Sequence, residues 1–298
     1  MTDPDITLAG TAQLLGRITD ELGTGLRRVR PGGPRRAARP PALVAVAHGS
    51  RDPRALPEVQ ALLDRVREIR PGLDVRLGHI ELNAPLLSDT LADLAPGGEA
   101  VLVPLLFGRG YHVTHDLPAA AAAAPAVRTR VADPLGAHPL LIEALYGRLV
   151  DAGWTAEHSA ARDTAVVLAS AGSRAPESAA DTRRTAALLR ERLGGVPVVA
   201  AYASAAAPTV PDAVRALAAR GRHRIAVASL FTAPGLFAAR SAAEAPWLAA
   251  APLGPHPALA RLVLHRYDRA LRHDRAPRHD RASGLAGLAA PRRELATT

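Results

Sequence analysis

Two patterns alternate along this chain. Short apolar runs, the first and third nearly unbroken, are each followed by a longer stretch in which apolar residues return every three or four positions. The runs are "ALVAVA" (42–47), "DVRLGHIEL" (74–82), "EAVLVPLLF" (99–107) and "VRTRVADPLG" (127–136). The longer stretches are "LPEVQALLDRVREI", "PLLSDTLADL", an alanine-rich segment after "HDLP", and "HPLLIEALYGRLVDAGW". Runs that are apolar on both faces suit strands buried on both sides, so the order predicts a parallel sheet covered by helices. Proline opens two of the predicted helices, where its missing N–H is no loss.

The order then repeats. "TAVVLASAGSR" answers "ALVAVAHGSR", "VVAAYASAAAPTVPDAV" answers "RLGHIELNAPLLSDTL", and "AVASLFTAPGLFAARSA" answers "VLVPLLFGRGYHVTHDL". The expected fold class is therefore α/β, with two similar halves, each a mostly parallel sheet flanked by helices. The expected divisions are a first half over 41–158 and a second over 159–270. A basic N-terminal extension over 1–40, with one amphipathic stretch, and an Arg-rich tail over 271–298 are expected to be disordered.

Composition narrows the chemistry. The 298 residues, 48% of them hydrophobic, can bury a sizeable core. Zero cysteines exclude disulfides, thiolate metal sites and a cysteine nucleophile, so any metal must be held by nitrogen and oxygen. All 37 basic residues are arginine, which removes Schiff-base lysines and a Walker-type P-loop. The formal charge of +9 is crowded into the two ends, including the near-repeats "RHDRAP" and "RHDRAS" that hold His273 and His279. Basic residues placed outside the folded halves, without interleaved aromatics, argue against nucleic acid as the partner. No run approaches the roughly 20 apolar residues of a membrane span, and the N-terminus lacks a secretory pattern, so a cytoplasmic protein with no membrane partner is expected.

The polar differences between the halves mark candidate chemistry. Ligands of open parallel sheets sit beyond the carboxyl ends of the strands. His48 follows the first strand, Glu81 ends the second and His112 follows the third; their counterparts are Ala171, Ser204 and Phe237. Two imidazoles and a carboxylate suit a borderline divalent metal such as Fe²⁺, Co²⁺ or Ni²⁺, and a neutral imidazole also accepts a proton near pH 7. The plain alternative is that each histidine is structural. His115, whose counterpart is Arg240, is either a ligand one turn from His112 or part of a helix N-terminus. His138 and His256, kept before proline in both halves, read as structural, and His79 as a strand residue. In "HGSRDP", Gly49 permits a tight turn, Ser50 caps a helix or holds an anion, and Arg51 adds charge. "GRG" lets backbone approach a flat ligand, and Arg51 and Arg109 can pair with carboxylates.

As a set, "AHGSRDP", "IELNAP" and "VPLLFGRGYHVTHDLP" resemble the sirohydrochlorin chelatases of the CbiX and SirB type, in the long form with two halves. The resemblance covers about residues 42–270 and is strongest in the first half. It implies insertion of a divalent metal, Fe²⁺, Co²⁺ or Ni²⁺ as substrate, into an anionic sirohydrochlorin-type tetrapyrrole, for siroheme or cobalamin synthesis, with the active site in the cleft between the halves. It further implies His48 as proton acceptor and metal ligand and His112 as second ligand. Glu81 and the loop Phe107, Gly108, Arg109, Gly110, Tyr111, with Ser50 and Arg51, would border the macrocycle. No permanently bound cofactor or nucleotide is implied, and a homo-oligomer is left open. A carrier that binds metal or tetrapyrrole without turnover is the alternative.

Overall fold

The structure, a computed structural model, describes residues 40–275; the expected N-terminal extension up to residue 39 and the tail beyond 275 lie outside the described residues. The first half runs β1 (Ala42–Ala47), α1 (Ala55–Ile69), β2 (Val75–His79), α2 (Leu87–Ala92), β3 (Glu99–Pro104), a π-helical turn (His112–Asp116), α3 (Leu117–Ala122), β4 (Arg128–Val131) and α4 (Pro139–Asp151). A short α5 (Ala156–Ala160) leads into the second half: β5 (Thr164–Ser170), α6 (Pro176–Arg192), β6 (Val198–Tyr202), α7 (Val210–Ala218), β7 (Arg224–Ser229), α8 (Leu236–Ala243), β8 (Leu248–Ala249) and α9 (Pro257–Arg275). The last helix thus continues beyond residue 270, where the tail was expected to begin.

Each half holds a four-stranded parallel sheet, ordered β2-β1-β3-β4 and β6-β5-β7-β8. After β1 the chain crosses to one side and after β2 it returns to the other, so the ends of β1 and β3 flank the point where strand order reverses. That crevice is where parallel sheets bind ligands. Ala47 lies opposite His79, and Val46 opposite Pro104, so the loops after β1, β2 and β3 leave from one edge.

β2 is shorter than its apolar run. Ile80 and Glu81 still donate their N–H groups to the carbonyls of Ala47 and His48, but Leu82 turns the chain with φ +67°. Glu81 therefore stands on a turn across the sheet edge, not within the strand. β3 likewise stops at Pro104, before "LLF". The helix expected to open at Pro85 starts at Leu87, and a cis Ala84–Pro85 bond precedes it.

Strand alternation divides the core. Leu43, Ala45 and Ala47 face a central layer with Val59, Leu62, Leu63 and Val66 of α1, spaced as one face of an amphipathic helix. Val166 and Leu168 of β5 enter the same layer from the other sheet. Ala42, Val44 and Val46 face outward beneath α2 and α3, and Ala165, Val167 and Ala169 beneath α7.

The last helix of each half crosses to the other. α9 packs on α1 and β3, and α4 packs on α6 and β7. Matching arginines pin the exchange: Arg148 of α4 donates to the Leu253 carbonyl at 2.7 Å, and Arg266 of α9 to the Leu135 carbonyl at 3.0 Å. The described residues from Pro41 onward consequently form one contact unit.

Candidate active site

His48 leaves β1 through a turn that only glycine can make. Gly49 has φ +105°, and a Cβ there would fall on the Glu81 carbonyl oxygen. Asn83 Oδ1 accepts from the Ser50 N–H at 2.7 Å, and Ser50 Oγ accepts from the Asp52 N–H at 3.1 Å. These contacts hold "HGSRDP" against the turn that carries Glu81. His48 Nε2 then lies 3.5 Å from Glu81 Oε1, with both side chains about half exposed.

His112 comes from the loop after β3. Its ring meets the His48 ring edge to face, centroids 4.7 Å apart. On its other side, His112 Nδ1 contacts Asp116 Oδ2 at 2.5 Å. The segment between them is the π-helical turn, in which the Leu117 N–H bonds the His112 carbonyl. His48, His112 and Glu81 therefore do converge, as their places at three strand ends predicted. Among the described residues, however, no three His, Asp or Glu side chains are gathered as a closed metal cage.

The cleft before them has a volume of about 800 Å³, ample for a drug-sized or larger organic ligand. Its walls include Ser50, Arg51, Glu81, Phe107, Gly108, Gly110 and Tyr111 from the first half and Leu236 and Phe237 from the second. Large apolar side chains stand open to it: Leu82 is 51% exposed, Tyr111 62%, Leu236 62% and Phe237 38%. Apolar surface of this kind on one concave face marks a binding site. Arg51 lies exposed at its edge, without an ion-pair partner among the described residues.

Arg109 departs from expectation. Its guanidinium forms two bonds to the Asp181 carboxylate of α6, at 3.0 and 2.8 Å, and its backbone N–H donates to the same group at 3.1 Å. It is not part of the cleft wall. Spent on Asp181, it ties the His112 loop to the second half, and the adjacent glycines allow the close approach: a Cβ on Gly108 would lie 2.8 Å from Ser178 Oγ.

Four other histidines stand apart from the His48–His112 pair. His115 stacks on Tyr111 of the cleft wall at 4.5 Å and contacts Thr114 Oγ1 at 2.8 Å, without itself lining the cleft. His138 and His256 are equivalent helix caps, each accepting at Nδ1 from the N–H two residues on, at 3.2 Å. Burial, with His265, Arg266 and Arg269 nearby, pushes His138 down to about 4. Buried His79 contacts the Pro85 carbonyl at 3.1 Å, and burial lowers its proton affinity.

Asp116 and Asn83 are absent from the sequence-based set. Asn83 acts through a contact 33 residues away in sequence. Asp116 had a usable signal, since it stands four residues after His112. Helical spacing is weighed in this segment only for His115, three residues after His112, and not for Asp116.

The family model CbiX matches residues 42–152 and 165–270, one stretch in each half. The chain is 27% identical over 177 residues to the sirohydrochlorin ferrochelatase of Bacillus subtilis (strain 168), covering 57% of this chain and 66% of that protein. It is 32% identical over 77 residues to the sirohydrochlorin cobaltochelatase of Sulfurisphaera tokodaii, covering 25% of this chain and 64% of that one. These alignments span just under two thirds of each relative. Among solved structures, SirB from Bacillus subtilis with Fe³⁺ superposes with a TM-score of 0.61 at 22% identity, covering 79% of this chain and 97% of that one, a likeness of fold. With both halves matched over most of the described residues, the chain belongs to the CbiX family.

Proposed function

We propose that the chain is a chelatase that inserts a divalent metal, Fe²⁺ or Co²⁺, into sirohydrochlorin or a closely similar anionic tetrapyrrole. The observation that carries this reading is the facing pair His48 and His112, 4.7 Å apart, at one end of an apolar cleft of about 800 Å³. The family and the names of the curated relatives support the same reaction.

Metal and macrocycle are both substrates here. Insertion requires the metal to exchange water for pyrrole nitrogens and the pyrrole N–H protons to leave. The two imidazoles offer neutral nitrogen donors suited to a borderline divalent ion, and with only two of them the ion can pass on to a better chelate. His48 Nε2 and Glu81, 3.5 Å apart, form the proton-accepting pair. Leu82, Tyr111, Leu236 and Phe237 receive the flat apolar faces of the ring. Arg51 at the edge attracts its carboxylates, an attraction that weakens with salt. The two halves, 41–158 and 159–270, make one site, with the first half supplying its chemistry and the second a wall. The same reading places the reaction in the cytoplasm; among the described residues no helix is long and apolar enough to cross a membrane.

The test is turnover. Without oxygen, purified protein is mixed with excess sirohydrochlorin and Fe²⁺ or Co²⁺, and the visible spectrum is followed against a no-protein control. Many equivalents of metallated product per chain are expected. A signal that stops at one equivalent would make the protein a carrier, and the chelatase reading would fall.

A further inference from the structure

We infer that Asp116 is a positioning residue that fixes which nitrogen of His112 is open to the metal. This rests on the reading of His112 as a metal-binding imidazole. A carboxylate accepts hydrogen bonds and does not donate them, so the 2.5 Å contact from Asp116 Oδ2 requires the proton on His112 Nδ1. In a neutral ring that leaves the Nε2 lone pair free, on a residue that lines the cleft. In water, neutral imidazole side chains favour the opposite tautomer, with the proton on Nε2, which would block the donor. Outer carboxylates commonly set ring tautomer and orientation in this way at metal-binding histidines.

Two further observations support the assignment independently. The first is the backbone. His112 to Asp116 forms a π-helical turn, a local widening that ordinary sequences avoid and that concentrates at functional positions. The equivalent segment of the second half opens α8, an ordinary α-helix starting at Leu236.

The second is the duplicate itself. Gly110 and Gly235 begin the two segments, and the N–H groups of Thr114 and Ala239, each four residues on, bond back to them. That register sets Phe237 where His112 stands and Ser241 where Asp116 stands. Histidine and carboxylate are thus replaced together. The Ser241 hydroxyl is buried and has no hydrogen-bond partner among the described residues, consistent with a place whose polar partner is missing.

The experiment uses the full chain with Co²⁺ alone, so that it does not depend on insertion. Co²⁺ affinity is measured by calorimetry and visible absorption, and the His112 tautomer by long-range ¹H–¹⁵N NMR of the metal-free protein. Wild type should show the proton on Nδ1. Asp116→Ala should shift His112 towards the Nε2–H form and weaken Co²⁺ binding by about 10–100-fold, the usual cost of losing such a partner. Asp116→Glu should recover part of both. If Asp116→Ala does not fold, Asp116→Asn is judged by the same readouts, with mixed tautomers and an intermediate affinity expected. A folded Asp116 variant that keeps the wild-type tautomer and affinity would overturn the inference. His112→Ala separates the two ideas: unchanged Co²⁺ affinity there would sink the reading of His112 as a ligand, while the NMR result would still report on Asp116.

Discussion

His112 and Phe237 occupy the same place in two copies of one scaffold, and so do His48 and Ala171. The backbone between these places is closely matched. Gly49 and Gly172 both take positive φ, at 105° and 91°, and in each a Cβ would fall on the carbonyl oxygen of Glu81 or Ser204. Leu82 and Ala205 turn with φ 67° and 54°, and cis prolines follow at Pro85 and Pro208. Ser50 and Ser173 each accept from the N–H two residues on, at 3.1 and 3.2 Å. What differs is the side chains that reach the cleft. On the proposed function, features kept in both halves serve the sheet edge and features kept in one serve the ligand. Gly49 and Ser50 belong largely to the first class, and on that reading His48, Glu81, His112 and Asp116 belong to the second.

The largest test of that division is catalytic. His48→Ala or His112→Ala should slow metal insertion by about 10²–10⁴-fold, the span expected for groups that handle protons or position a reactant. Phe237→Ala, in the cleft wall, should alter KM for the tetrapyrrole and leave kcat near wild type, and Ser204→Ala, whose hydroxyl donates to the Ala171 carbonyl and does not line the cleft, should leave both near wild type. Equal kcat losses in the two halves would break the comparison.

Scaffold glycines should behave in the opposite way, with the halves alike. Gly49→Ala and Gly172→Ala each force a Cβ against a carbonyl at positive φ. Each should cost about 2–4 kcal/mol, read from urea unfolding. Trp154 and Trp247, packed 5.9 Å apart, provide the fluorescence signal. A marked loss at only one glycine would mean the two turns are not equivalent.

Acid should reveal the half-buried caps next. His138 is pushed down to about 4 from 6.5, chiefly by burial, and burial also lowers its counterpart His256 and its neighbour His265. The unfolded chain then binds protons that the folded chain refuses. Their contribution is intact above about pH 6.5 and is lost as pH falls from there towards 4. His138→Asn keeps an acceptor for the Leu140 N–H and should remove part of that loss, on the order of 1–2 kcal/mol at pH 4 once solvent screening is allowed for. Identical acid profiles for this variant and wild type would rule out His138 as a source.

The smallest effect separates two arginines that sequence treats alike. Arg109→Ala breaks a partly exposed ion pair with Asp181 and should cost no more than about 1 kcal/mol of stability. Arg51→Ala should leave stability unchanged and weaken tetrapyrrole capture, more at low salt than at high. The reverse pattern would return Arg109 to the substrate.

Much of this was legible in the chain. β1 matches its apolar run residue for residue, because a fully buried strand must be apolar on both faces and its ends are marked by Pro41 and His48. The internal repeat survives in residue types that turns and caps require, so the duplication and the succession of strands and helices could be read without coordinates. The strand-end rule brought His48, Glu81 and His112 together because parallel strands in register end on one edge.

Other features depend on neighbours far apart in sequence. That Arg109 is spent on Asp181 requires α6 to lie beside the His112 loop, and no local pattern records that approach. The exchange of α4 and α9 is equally silent, since an amphipathic helix shows only that it has an apolar face and not which sheet covers it. Asp116 falls between the two cases: its spacing is local, but it became a partner of His112 only when the chain wound into a π turn there. Local pattern determined the elements, the repeat and the reactive residue types. Long-range packing decided which charges are paired, which carboxylate meets which imidazole, and that loops of both halves line one cleft.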